Sequence, residues 1–130
     1  MPARGAQGLI VSNGARDGGY ALYVRDGRLV YENNFAGLKR ETLVATQPLP
    51  AGKVEIAYAF TRDAGEGFAG GKAQLSINGQ PAGEWRLQRV GPPSYQGSFD
   101  IGQVHASPVG QYAAPFRFNG AIESVTVRLD

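Results

Sequence analysis

The sequence predicts an all-β chain built as two antiparallel sheets packed face to face. Three observations carry this reading. Apolar side chains recur at every second position, Asp-Gly and Asn-Gly pairs punctuate those runs, and glycine and proline are abundant in a chain that is also rich in apolar residues. The 19 glycines and 8 prolines stand beside 42% hydrophobic residues, which fits many tight turns between short strands and not disorder. No window shows a sustained helical period with a cap. The spacing calls for roughly nine or more short strands, and a closed barrel is the other architecture the pattern permits.

The elements follow in order. Tyr20, Leu22 and Val24 alternate along one face of a strand, and Tyr23 makes its opposite face aromatic. Asp26-Gly27 separates Tyr20–Arg25 from Arg28–Asn33, and this pair readily takes the positive φ angles of a type I′ hairpin turn. Pro48-Leu49-Pro50-Ala51-Gly52 cannot continue a strand and reads as a loop. Val54, Ile56, Tyr58 and Phe60 then alternate with Lys53, Glu55, Ala57, Ala59 and Thr61. Residues 63–71 read as a flexible insert. Leu75 and Ile77 alternate within Lys72–Ile77, which Asn78-Gly79 closes with a second hairpin turn. Asn119-Gly120 marks a third turn, before a last strand in which Val125, Val127 and Leu129 alternate with Ser124, Thr126 and Arg128. There is no internal repeat and no domain linker. A single domain is expected over residues 1–130, with 1–7 a linker stretch ahead of the sandwich.

Composition narrows the function. Lys and Arg number 13 against 11 Asp and Glu, and the net charge of +2 is scattered over Arg4, Arg16, Arg25, Arg28, Lys39, Arg40, Lys53 and Arg62. A nucleic-acid binder clusters its positive charge on one face, so no nucleic-acid partner is expected. Without cysteine there is no disulfide framework, thiolate zinc site or cysteine nucleophile. The longest apolar runs are too short to cross a bilayer, and Met1–Gly8 holds no apolar stretch of signal-peptide length. No membrane partner is expected, and the cytoplasm is the favoured location.

An ordered set of residues carries more than a pattern. Gly18-Gly19-Tyr20-Ala21-Leu22-Tyr23-Val24 leads to Asp26-Gly27-Arg28-Leu29-Val30-Tyr31-Glu32 and then Asn34-Phe35. Leu49-Pro50-Ala51-Gly52-Lys53 and Ile77-Asn78-Gly79 follow, then Asp100-Ile101-Gly102, Pro108-Val109, Tyr112 and Pro115-Phe116-Arg117-Phe118-Asn119-Gly120-Ala121-Ile122. From about Gly8 to Asp130 the chain resembles the C-terminal domain of large bacterial arylsulfatases. The resemblance implies a concanavalin A-like, laminin-G-like jelly-roll sandwich placed after an alkaline-phosphatase-like catalytic domain. In such sulfatases that upstream domain holds the chemistry, at a C/S-x-P-x-R motif oxidised to formylglycine beside a carboxylate-bound calcium. The present chain has no such motif. It also departs from the family pattern at Val104, where an acidic residue commonly follows the Asp-Ile-Gly step.

Candidate chemistry is sparse. Gly65–Gly70 spells G-x-G-x-x-G, but a dinucleotide fingerprint needs a helix after it, and Lys72–Ile77 alternates as a strand. His105 is the lone histidine, with no partner in sequence for a zinc site or a Ser-His-Asp set. Asp63 and Glu66 sit in the insert, while Glu41, Glu55 and Glu84 are expected as solvated charges on strand faces. Asp100 is the one metal candidate, for a calcium ion at a loop rim, set against an Asp that satisfies backbone donors. No other cofactor is expected. Tyr20, Tyr23, Tyr31, Trp85 and Tyr112 are the candidate ligand or interface residues, joined by Phe35 and Tyr95 in an aromatic set that either stacks on sugar rings or fills the core. Trp85 is expected between the sheets.

The sequence therefore points to a non-catalytic accessory module of a sulfatase, partnered by the catalytic domain of its parent chain. A lectin-like carbohydrate-binding module is the alternative, with a glycan as partner. A small standalone hydrolase comes last, since no carboxylate pair is singled out.

Overall fold

Alternation and turn chemistry produce eight strands in a computed structural model that describes residues 1–2, 6–62, 69–89, 98–104, 108–114 and 116–126. They are β1 (Gly8–Ala15), β2 (Gly18–Arg25), β3 (Arg28–Phe35), β4 (Lys39–Val44), β5 (Ile56–Arg62), β6 (Ala69–Ile77), β7 (Gln80–Arg89) and β8 (Ser98–Ile101). No described residue is helical. The strands form two antiparallel sheets, one of five strands in the order β4-β3-β2-β1-β8 and one of three in the order β5-β6-β7. Two hairpins turn where the sequence says they should. Asp26 and Gly27 have φ of 52° and 77°, and Asn78 and Gly79 have 50° and 78°, the positive pair that a type I′ turn requires.

The register sorts the side chains onto two faces. Val11, Leu22, Val24, Leu29, Tyr31 and Leu43 point from the large sheet toward Ala73, Leu75, Ile77, Ala82 and Leu87 of the small one, and together they form the main core. Burying each large aliphatic side chain there contributes about 1.5–3 kcal/mol. Leu9, Ala21, Tyr23 and Val30 point the other way. They are covered by Val104 and Val109, with Tyr112 and Phe116 packed alongside, in a second apolar cluster. The central strands of the large sheet are thus buried on both faces, and seven of the eight residues of β3 are buried.

The sheets are tied at one margin. Thr46 donates its backbone N–H and its hydroxyl to the Ala82 carbonyl, at 2.8 and 3.2 Å. Glu41 of β4 accepts Trp85 Nε1 at 3.1 Å and the Gln88 N–H at 2.8 Å, both from β7. With β7 set against β4, the surplus strands of the larger sheet lie at the far margin. Edge strand β8 carries two exposed apolar side chains, Phe99 at 49% and Ile101 at 45%.

Four expectations need correcting or qualifying. Glu41 is not a solvated charge. It is buried, because its carboxylate closes the seam between the sheets. Of the glycine-rich insert, residues 63–68 lie outside the described residues, but Ala69–Gly71 belong to β6. The glycines are required by packing, since a Cβ at Gly70 would sit 1.9 Å from the Leu87 carbonyl oxygen. The last strand is not formed over residues 121–126, although Ile122 and Val125 pack on the main core, and residues 127–130 lie outside the described set. Finally, Ala6 is in the core and its carbonyl accepts the Gly27 N–H, so part of the leading stretch is built into the sandwich.

Candidate functional site

The residues that sequence reasoning singled out fall into three places. Tyr23 packs on Tyr112 of the segment that covers the outer face of the large sheet, and Asp100 is buried on the same face. Tyr20 and Tyr31 lie on the inner face. Trp85 stands at the seam with its indole N–H on Glu41, and it is half-exposed. His105, Tyr95, Asp63 and Glu66 lie outside the described residues.

The outer face has the richer chemistry. Residues opposite one another across the sheet form a row, Glu32 of β3, Ala21 of β2, Ser12 of β1 and Asp100 of β8. Two small side chains, both buried, lie between the two carboxylates. Glu32 is only 1% exposed. Its Oε1 accepts the Tyr23 hydroxyl at 2.8 Å and the Gln111 N–H at 3.2 Å, while its Oε2 has no hydrogen-bond partner. Gly110 lies directly over this carboxylate, where a Cβ would come within 2.5 Å of Oε1. Asn34, next but one along β3, donates to the carbonyls of Arg16 and Val109 and accepts the Gly37 N–H through Oδ1. Buried polar groups on the sheet thus hold the covering segment by its backbone.

Aromatic rings complete the enclosure. Tyr23 packs against Tyr112 and Phe116 with centroids 5.0 and 5.7 Å away, and Tyr112 stacks on Phe116 at 5.0 Å. The Arg25 guanidinium lies over both Tyr23 and Phe116 and donates to the Gln111 carbonyl. Burial pushes the Tyr112 hydroxyl up to about 12; the Glu32 and Asp100 charges push the same way, and backbone amides of Gly110 and Val109 pull against it. Those amides do not reach hydrogen-bond geometry, and Tyr112 Oη is buried without a partner. Tyr23 is raised further still, by burial first and then by the Glu32 charge.

Asp100 is buried on this face, on edge strand β8. Among the described residues no three His, Cys, Asp or Glu side chains are grouped to hold a metal.

The inner face is aromatic. Tyr31 stacks on Tyr58 of β5 with centroids 3.9 Å apart and planes 15° from parallel, and Tyr20 lies 6.3 Å from Tyr31. Burial raises Tyr31 well above the usual phenol value and pushes Tyr58 up to about 12. Tyr31 and Phe35 are both buried. Toward the open margin a second row runs Phe99, Asn13, Tyr20, Asn33 across β8, β1, β2 and β3. Asn13 reaches the Tyr20 hydroxyl and opposes the upward shift that burial gives it. A shallow cavity of about 410 Å³ opens next to β8, lined by Ile101, Gln103, Arg117, Phe118 and Ile122.

No family model, curated protein or solved structure matches this chain.

Sequence reasoning missed Glu32, Asn34 and Gly110. Glu32 and Asn34 sit in the run Tyr31-Glu32-Asn33-Asn34, whose polar letters read as the wet side of a strand. The available signal was the opposite-facing Tyr23. A bulky phenol on that face asks for a cover and a buried acceptor, and Glu32 supplies the acceptor.

Proposed function

We propose that the chain is a non-catalytic accessory module, a concanavalin A-like jelly-roll sandwich that packs on a sulfuric-ester hydrolase domain. The observation that carries this reading is the exposed pair Phe99 and Ile101. They lie on the same side of edge strand β8, at the margin away from the β4–β7 seam and beside the cavity over Phe118 and Ile122. Apolar side chains that a protein leaves together at a margin serve contact with another surface. The sulfatase context rests on the sequence resemblance. The buried carboxylates Glu32 and Glu41 have architectural work: the first holds the cover, the second closes the seam. The test is hydrolysis of an aryl sulfate by the purified chain. Background rates are expected, and robust turnover overturns the reading.

One observation favours a second function, carbohydrate binding. The row Phe99, Asn13, Tyr20 sets two rings on either side of an amide, the chemistry that takes a sugar's C–H face and its hydroxyls. Tyr23 and Tyr31 are too buried to join it. Titration against sulfated and neutral glycans separates the two functions: saturable binding lost in Tyr20→Ala favours the glycan, and uniform absence of binding at millimolar ligand favours docking.

A further inference from the structure

Glu32 has an electrostatic problem that its described neighbours do not solve. A carboxylate taken out of water needs an opposite charge, a metal or a full set of donors. Glu32 has two donors, both on Oε1, and none on Oε2. Among the described residues no basic group lies within ion-pair distance of it; the ion pairs there are Lys53–Glu123 and Lys72–Glu84, both on the surface. Arg25, the cation associated with the cover, is turned onto the rings of Tyr23 and Phe116 and onto the Gln111 carbonyl.

Glu32 Oε2 meets no described donor or acceptor. The same compartment holds a second orphan oxygen, Tyr112 Oη, on the segment that closes over the sheet. The Tyr112 ring packs on Tyr23, whose hydroxyl donates to Glu32, so the two orphan oxygens share one enclosure. A carboxylate in that enclosure disfavours an anion. Oxygen donors with net negative charge suit a hard cation.

We propose that the compartment between the large sheet and residues 108–114 is a cation site, anchored by Glu32 Oε2 on β3 and closed by Tyr112 Oη. The ion class is a hard, oxygen-seeking cation such as Ca²⁺ or Mg²⁺. It joins the sheet to its cover, so binding stabilises the cover against opening. This holds whether the module docks or binds glycans.

The probe is Tb³⁺ titrated into the chelator-treated chain, with emission excited through the tyrosines. Tyr23 and Tyr112 border the compartment, so saturable sensitised emission is expected, displaced by Ca²⁺ or Mg²⁺. Glu32→Gln is expected to abolish it, while Glu55→Gln, an exposed control, leaves it unchanged. Added Ca²⁺ or Mg²⁺ is expected to raise the Tm of the wild type and not of Glu32→Gln. If Glu32→Gln does not fold, Tyr112→Phe carries the test through an affinity loss of about tenfold. Absence of saturable emission, or a Glu32→Gln or Tyr112→Phe variant that binds as the wild type does, overturns the site.

Discussion

The two faces of the five-stranded sheet are buried in different ways. The inner face meets another sheet, and its contacts are apolar, aliphatic side chains interlocked with Leu75, Ile77 and Leu87 beside the stacked rings of Tyr31 and Tyr58. The outer face meets irregular chain, which has backbone groups to satisfy, so that face supplies Glu32 and Asn34 to bind them. A sheet can cover another sheet with apolar side chains alone. A loop can cover a sheet only if polar groups are buried with it. The inner face is therefore expected to give most of the stability, and the outer face to decide whether residues 108–114 stay closed.

The largest effect is expected from Leu75→Ala, which opens a cavity in the inner core and lowers unfolding free energy by about 3 kcal/mol, read from the urea midpoint. Asn34→Ala is expected to cost about 2 kcal/mol, since it strands the Arg16 and Val109 carbonyls and the Gly37 N–H. Its signature is local: amide exchange at Gln111 and Tyr112 speeds up before the inner strands do. Equal acceleration on both faces would show that they open as one unit, and the comparison would break.

Smaller effects sharpen it. Trp85→Phe removes the indole N–H from Glu41 and is expected to cost about 1 kcal/mol by chemical denaturation. Alkali probes both faces at once, because Tyr58 is inner and Tyr112 outer, and each is pushed up to about 12. Below the ordinary phenol value of 10.0 the folded and unfolded chains both keep these protons, and stability does not change on their account. Between that value and about 12 the unfolded chain ionises first, so stability falls as pH rises. Tm measured across that interval should drop, and Tyr58→Phe or Tyr112→Phe should each flatten part of the drop. The smallest effect belongs to Phe99→Ser with Ile101→Ser, within about 0.5 kcal/mol of wild type but with weaker binding of an apolar dye.

Legibility in the sequence tracked the same division. Alternation is a good guide where one face is wet, and β5 shows it: Ile56, Tyr58 and Phe60 are half-buried between exposed neighbours. It fails on β1 and β3, where both faces are covered and Ser12, Glu32, Asn33 and Asn34 are buried. Turns at Asp26-Gly27 and Asn78-Gly79 were legible because their backbone demands are local. The Glu32 compartment was not, because it needs Gly110 and Tyr112 brought from the far end of the sequence. The setting of Asp100 was not legible either, since its row partner Ser12 lies on the first strand.

That distance in sequence has a consequence for synthesis. Strands β1 to β4 join by successive local hairpins, so four-fifths of the large sheet can assemble as the nascent chain emerges. The cover arrives only after β5 to β8 have been made, several seconds later at about 5–20 residues per second. Throughout that wait the surface carrying Leu9, Tyr23 and Val30 is bare. Glu32 and Asn34 lie on that same surface, where polar side chains disfavour adhesion to other chains.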